Sequence, residues 1–167
     1  MAEMVAEGEQ PVSPEIRAKL VEPFITATRT ALREMANTEM VVRAVCRSSS
    51  HPASDDISAV LQLTPAIDGS LVLSFPERTA AFLARQVLAG VTAEVDNQLI
   101  RDCVAEIGNV VAGQAKALLA GTPFHFAFSL PRVIIGIDDL QVAGLDCLLI
   151  AFDGGFGKFA LRLYRRS

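Results

Sequence analysis

Apolar residues recur at helical spacing through residues 14–36, where Ile16, Leu20, Phe24, Ala27, Ala31 and Met35 share one side. Ser13, Pro14 and Glu15 open this stretch as an N-cap, a first helical proline and an early acid. Pro23 lies inside it, which predicts a kink or two stacked segments. The period then shortens to two. Residues 40–47, with β-branched Val41, Val42 and Val45, read as a strand. Residues 57–63 and 70–75 read as two more, joined by a turn at Ile67-Asp68-Gly69. Pro76 and Glu77 open a helix that runs to Leu88 and is closed by Ala89-Gly90. A longer helix is predicted over 97–120, stopping at Gly121-Thr122-Pro123. Phe124, Phe126 and Phe128 then alternate with His125, Ala127 and Ser129 in a strand over 124–130, which Pro131 interrupts before residues 133–135 continue extended. Residues 146–152 and 159–164 form a hairpin around Asp153-Gly154-Gly155-Phe156-Gly157.

Helix, three strands, two helices and about three strands, with hairpin-like connections, specify an α+β fold: a mostly antiparallel sheet with long helices packed on it. Residues 1–13 carry three acids and no base and are expected to form a flexible acidic tail, leaving 14–167 as a single domain. Residues 48–56 are a polar loop. The length allows one substantial core. Hydrophobic residues make up 51% of the chain, and this surplus suggests a buried subunit interface or helices on both sides of the sheet.

A net charge of −4 argues against a nucleic-acid footprint, and Arg162, Arg165 and Arg166 read as a solvated strand terminus. Cys46, Cys103 and Cys147 lie far apart in apolar segments, and His51 and His125 are isolated, so no metal-ligand spacing appears. Buried thiols in a reducing compartment are the simple reading. The acidic start lacks the apolar core of a signal peptide, and no apolar run approaches the ~18 residues that span a bilayer. A soluble, cytoplasmic protein is expected. The glycines of 153–157 do not make a phosphate loop, because Phe152 stands where its first glycine is required.

The long third helix carries the candidate chemistry. A helix turns about 100° per residue, so Asp102, Glu106, Asn109, Gly113 and Lys116 align as one polar stripe. Val104, Ile107, Val111 and Leu118 point the other way, Cys103 and Val110 widen that apolar side, and Ala105, Ala112 and Ala117 flank the stripe. Gly113 costs about 1 kcal/mol of helix propensity, which close approach of a partner would offset, whereas Gly108 lies off the stripe and serves packing. Patterning alone fits an ordinary solvated face. The pair Glu-x-x-Asn occurs three times. Glu34/Asn37 reads as a helix end, with Asn37 in the left-handed cap position. Glu94/Asn97 reads as a helix start, with Asp96 or Asn97 as N-cap. Glu106/Asn109 alone also has an Asp four residues before the Glu and a Pro, Pro131, twenty-two residues after the Asn.

The spacing Asp-x3-Glu-x2-Asn-x21-Pro, the text DCVAEIGNVVAGQAKALLAG and FAFSLPRVIIG around it, and PFITATRTALREM near the start resemble the CheC/CheX/FliY chemotaxis phosphatases. The resemblance spans residues 16–166 and implies that family's fold and activity, dephosphorylation of the response regulator CheY. It implies that Asn109 positions the hydrolytic water, Glu106 meets the receiver's lysine, and Asp102 orients the surroundings of Glu106 or touches the partner. Pro131 would shape the strand end beside the helix, and Lys116 would contact an acidic receiver surface or remain solvated. An aspartyl phosphate on a receiver needs a water in line with the scissile bond, and a side-chain amide can orient one without acting as nucleophile or base. No cofactor is then needed on this chain, and magnesium is expected on the partner receiver. CheC-type members carry two motif copies; here Ile25 stands where the Asn after Glu22 should be, which points to the CheX branch, whose members pair as homodimers through their sheets. The absence of a switch-protein domain argues against the FliY type. The alternative is a non-catalytic module of the same fold that binds a receiver or assembles with itself.

Overall fold

The computed structural model describes residues 9–48, 56–65, 67–136 and 145–166. Ser13 caps helix α1 (Pro14–Ile16), its hydroxyl accepting from the amide of Ile16 at 3.2 Å. The chain then widens into a π-helical stretch, Arg17–Val21, before α2 (Glu22–Ala36). Pro23 accounts for the widening, because it has no amide hydrogen and its ring would crowd the carbonyl four residues back. The π turn lets the Glu22 amide reach the carbonyl of Arg17, five residues back. The helix ends on Asn37 in the left-handed region (φ 50°), as its place in the sequence predicts.

Strand β1 (Glu9–Gln10) precedes these helices, and β2 (Val41–Ser48), β3 (Ile57–Pro65) and β4 (Gly69–Phe75) follow them. Helices α3 (Glu77–Val87) and α4 (Asn97–Leu119) come next. The chain closes with β5 (Phe126–Phe128), β6 (Arg132–Ile135), β7 (Asp146–Asp153) and β8 (Lys158–Arg165). The sheet runs β1-β2-β7-β8-β4-β3-β5, with β6 also on β3, and every described pairing is antiparallel. This is the α+β architecture expected from the element order.

Two details differ from the sequence reading, and one expected segment falls outside the described residues. Within the expected tail, Glu9 and Gln10 pair with β2, whose margin offers unpaired backbone groups; residues 1–8 lie outside the described residues. Most of the expected 48–56 loop, residues 49–55, lies outside them too. The strand expected over 124–130 is shorter, because Thr122 holds its start in a turn: the Phe124 amide donates to the Thr122 hydroxyl and the His125 amide to the Thr122 carbonyl.

Alternation along the strands builds two unequal layers. Ala59, Leu61, Leu63, Leu71, Leu73, Phe75, Ile150, Leu161 and Leu163 face the helices and share a core with Leu20, Phe24, Leu32, Leu83, Val104 and Val111. The alternate positions Val60, Val72, Cys147 and Tyr164, with Ile134, form a smaller buried cluster containing no helical residue. Helices on both faces, one of the two explanations offered for the apolar surplus, are therefore not found among the described residues. Arg162 also corrects expectation: it sits between Val72 and Leu149 in the middle of the sheet and is only 5% exposed, so it is no solvated terminus. Its neighbour on that face, Cys147, has its thiol pushed up to about 11 by burial. All three cysteines are free and buried.

Candidate functional site

Helix α4 begins with Asp96, whose carboxylate accepts from the Leu99 amide at 2.8 Å. Asp96→Ala should cost about 1 kcal/mol, read as a lower denaturation midpoint with an unchanged slope. Along its buried side, Val104, Ile107, Val111, Ala112, Ala115 and Leu119 join the main core, and the helix packs against α2 and β3. Gly108 sets the distance to the sheet. A Cβ there would lie 2.8 Å from the Ala59 Cβ and 3.4 Å from Leu61 Cδ1, so the absent side chain lets the helix seat closely.

The opposite side presents the stripe. Asp102, Glu106 and Lys116 are exposed, and Asn109 and Gly113 are half-buried. The Gln98 amide donates to Asp102 Oδ1 at 2.9 Å, one turn away from Glu106. Asp102 is therefore held by its own helix. Among the described residues, the side chains of Glu106 and Asn109 have no hydrogen-bond or ion-pair partner. A carboxylate and an amide thus stand one turn apart, on the same outward face, with their bonding capacity unspent. Lys116 leans over the Phe128 ring, 5.9 Å from its centroid. A Cβ at Gly113 would make only ordinary contact with that ring, at 3.9 Å, so nothing described within the chain demands glycine there.

Two alignments read from spacing fail. Leu118 is 48% exposed rather than buried, because the last turn buries Ala115 and Leu119, and Leu118 stands about 100° around the helix from Leu119. Ala112 is buried instead of flanking the stripe, leaving Ala105 half-buried and Ala117 exposed beside it.

Pro131 lies between β5 and β6, which follow each other along the outer edge of β3. Leu63 pairs with Phe128 and Val60 with Arg132, so Ser129, Leu130 and Pro131 lie opposite only two residues, Leu61 and Gln62. This one-residue surplus is a bulge. It is pinned twice: the Ser129 amide donates to the Gln62 carbonyl at 3.0 Å, and the Gln62 amide donates to the Ser129 hydroxyl at 2.9 Å. The edge runs antiparallel to α4, with Phe128 beside Gly113 and Lys116 at one end and Ile135 sharing a cavity with Ile100 at the other. A helix advances about 1.5 Å and a strand about 3.3 Å per residue, so the seven helical steps from Lys116 to Asn109 match about three steps beyond Phe128. The Ser129–Pro131 bulge therefore runs alongside the middle of α4, about level with the turns that carry Asn109. Leu130, beside Pro131, is 87% exposed. Sequence reasoning passed over it, although an apolar residue directly before a strand-breaking proline was a usable signal.

Two described cavities lie away from the stripe. A cavity of about 380 Å³ at the start of α4, between Ile57, Ile100 and Ile135, includes none of Asp102, Glu106 or Asn109. Neither does one of about 310 Å³ on the opposite sheet face. Among the described residues no group of three or more His, Cys, Asp or Glu gathers as a metal site, and no helix is long and apolar enough to cross a membrane. Small molecules bind in concavities; an unsheltered ridge with unspent polar groups suits a macromolecule. The family model "Chemotaxis phosphatase CheX" matches residues 57–153, more than half of the chain and including Asp102, Glu106, Asn109 and Pro131. The chain belongs to the CheX family.

Relatives agree with this assignment. The CheY-P phosphatase CheX of Thermotoga maritima is 24% identical over 132 residues, covering 79% of this chain and 84% of its own length. The crystal structure of CheX from Desulfovibrio desulfuricans superimposes with a TM-score of 0.77 at 27% identity, covering 89% of this chain and 97% of the other. A CheX–CheY–BeF3–Mg2+ complex from Borrelia burgdorferi shares the fold, with a TM-score of 0.65 at 24% identity over 87% of this chain and 97% of that one.

Proposed function

We propose that this CheX-family protein is a phosphatase of the aspartyl phosphate on a CheY-type receiver domain, with Glu106 and Asn109 as the working pair. The observation that carries the reading is the pair itself: an amide and a carboxylate without partners, one turn apart on a ridge whose other side is locked into the core. The CheX of Thermotoga maritima is named a CheY-P phosphatase, and that of Borrelia burgdorferi has been solved with CheY. Water oxygen attacks phosphorus, the bond from phosphorus to the aspartyl oxygen breaks, and inorganic phosphate leaves a free carboxylate. The receiver supplies magnesium and a lysine that neutralise phosphoryl oxygens. This chain then needs to supply only placement.

Asn109 is the residue suited to that task, because its Oδ1 can accept from the water while its Nδ2 donates elsewhere. Glu106 offers an exposed negative charge for the receiver's lysine, which would fix the register of the docked helix. Asp102, tied to Gln98, helps hold the first turns of the stripe and borders the contact, as do Gly113 and Lys116. Pro131 acts on backbone shape beside Asn109 and not in the chemistry. The working form in this reading is a homodimer. The test is phosphate release from a receiver phosphorylated with acetyl phosphate and magnesium. A substoichiometric amount of this protein should clear the whole phosphorylated pool. Binding without faster release would instead support the non-catalytic module.

A further inference from the structure

Leu130 is the largest departure from ordinary burial near the stripe, at 87% exposed, and it is presented in an unusual way. On one side the Ser129–Gln62 hydrogen bonds fix the backbone to β3. On the other, the Pro131 ring locks its own φ and restricts the residue before it, which is Leu130. The side chain is thus exposed on a stiff base, so holding it against a partner costs little additional backbone entropy. Phe128, half-buried, and Ile135, 57% exposed, lie on the same edge and extend an apolar margin along the polar stripe.

We infer that Leu130 is a second, apolar anchor for the receiver domain that docks on Glu106 and Asn109, and that it sets affinity and partner choice instead of the chemical step. The inference rests on the function proposed above and identifies how the substrate protein is held. Size argues for it. A stable contact covers about 800 Å² on each partner, whereas an exposed helix face from Asp102 to Lys116 is only about 20 Å long and 10 Å wide. Most of the footprint must fall on neighbouring elements. The β5–β6 edge is one of them, and Leu130 stands there about level with the turns that carry Asn109. Interfaces concentrate binding energy in a few apolar or aromatic residues near their centre, ringed by polar groups. The chemistry expected of the receiver is therefore an apolar depression bordering its phosphorylation site.

The experiment compares Leu130→Ala and Leu130→Asp with wild type and with Val41→Ala. Val41 is also exposed, but β2 lies five strand positions from β5, about 24 Å away at ordinary strand spacing. Binding is measured to a CheY-type receiver loaded with beryllofluoride and magnesium, turnover on the same receiver phosphorylated by acetyl phosphate, and subunit mass by light scattering. Leu130→Ala should weaken binding about three- to tenfold and Leu130→Asp more than tenfold, with KM rising in step. The kcat at saturating receiver should stay within about twofold, because uniform binding is lost and not transition-state placement. Val41→Ala should match wild type. Unchanged affinity, a fall in kcat alone, or a changed subunit mass on Leu130→Asp overturns the inference, the last because it makes Leu130 a contact between copies. Wild type that binds without accelerating release defeats the proposed function while leaving the affinity comparison decisive for Leu130; wild type that does neither defeats both.

Discussion

Asn109→Ala should lower the catalysed rate of phosphate release by about 100-fold or more, since misplacing one reacting group commonly costs that much. Affinity for a beryllofluoride-loaded receiver should fall less than about threefold. The split follows from geometry: Asn109 is half-buried within the stripe, so its loss removes little contact area, while Glu106 and the apolar margin stay in place. Because no described side chain bonds to the Asn109 amide, the substitution should leave the fold intact, and far-ultraviolet dichroism and the melting temperature should match wild type. Asn109→Asp is the sharper control. It keeps the shape but replaces the donor with a negative charge beside a phosphoryl group, so it should be as slow as alanine or slower. Retained turnover in both variants would remove Asn109 from the mechanism.

The second large effect concerns seating. Gly108→Val should destabilise the protein by about 3 kcal/mol, because its branches drive into Ala59 and Leu61 at a site already too close for a methyl group. For a chain of this size that means a fall in melting temperature of roughly 6–12 °C. Gly108→Ala is a finer probe. It gains up to about 1 kcal/mol of helix propensity and loses about 1–3 kcal/mol to crowding, so a modest net loss is expected. Ala59→Gly opens the opposing wall, so the double variant should be at least about 1 kcal/mol more stable than the two single changes summed. Strict additivity would mean that the helix accommodates the methyl group elsewhere. The contact matters for catalysis as well, since displacing α4 carries Asn109 with it.

Most of the helical architecture was legible because its signals are local. Asp96 and Asn37 announce caps through side-chain and backbone preferences that act within four residues, and the structure uses both as caps. The stripe on α4 was legible for the same reason, since spacing alone sets which residues share a face. What could not be read depends on partners distant in sequence. Arg162 has a charge and a place near the chain end that suggest solvent, yet register with Val72 and Leu149 puts it mid-sheet. Leu118 keeps the apolar period but falls in a last turn whose buried positions are Ala115 and Leu119. The β1 pairing is invisible because two residues carry no periodicity, and only β2 creates the place for them. Pro131 was recognised as an interruption, but that it leaves three residues against two required knowing which strand lay opposite.

The mismatch at Ser129–Pro131 also governs what the flank beside Asn109 cannot accept. An added strand needs an unbroken row of amide and carbonyl groups at even spacing, and here the row is buckled by a supernumerary residue and lacks one hydrogen at the proline. Templated growth of the sheet beyond β5 and β6 is thereby discouraged, whether by another copy or by an unfolded chain. The protein can leave a half-buried amide without a partner because the backbone along that flank is a poor mould for anything extended, which reserves that side for visitors that arrive already folded.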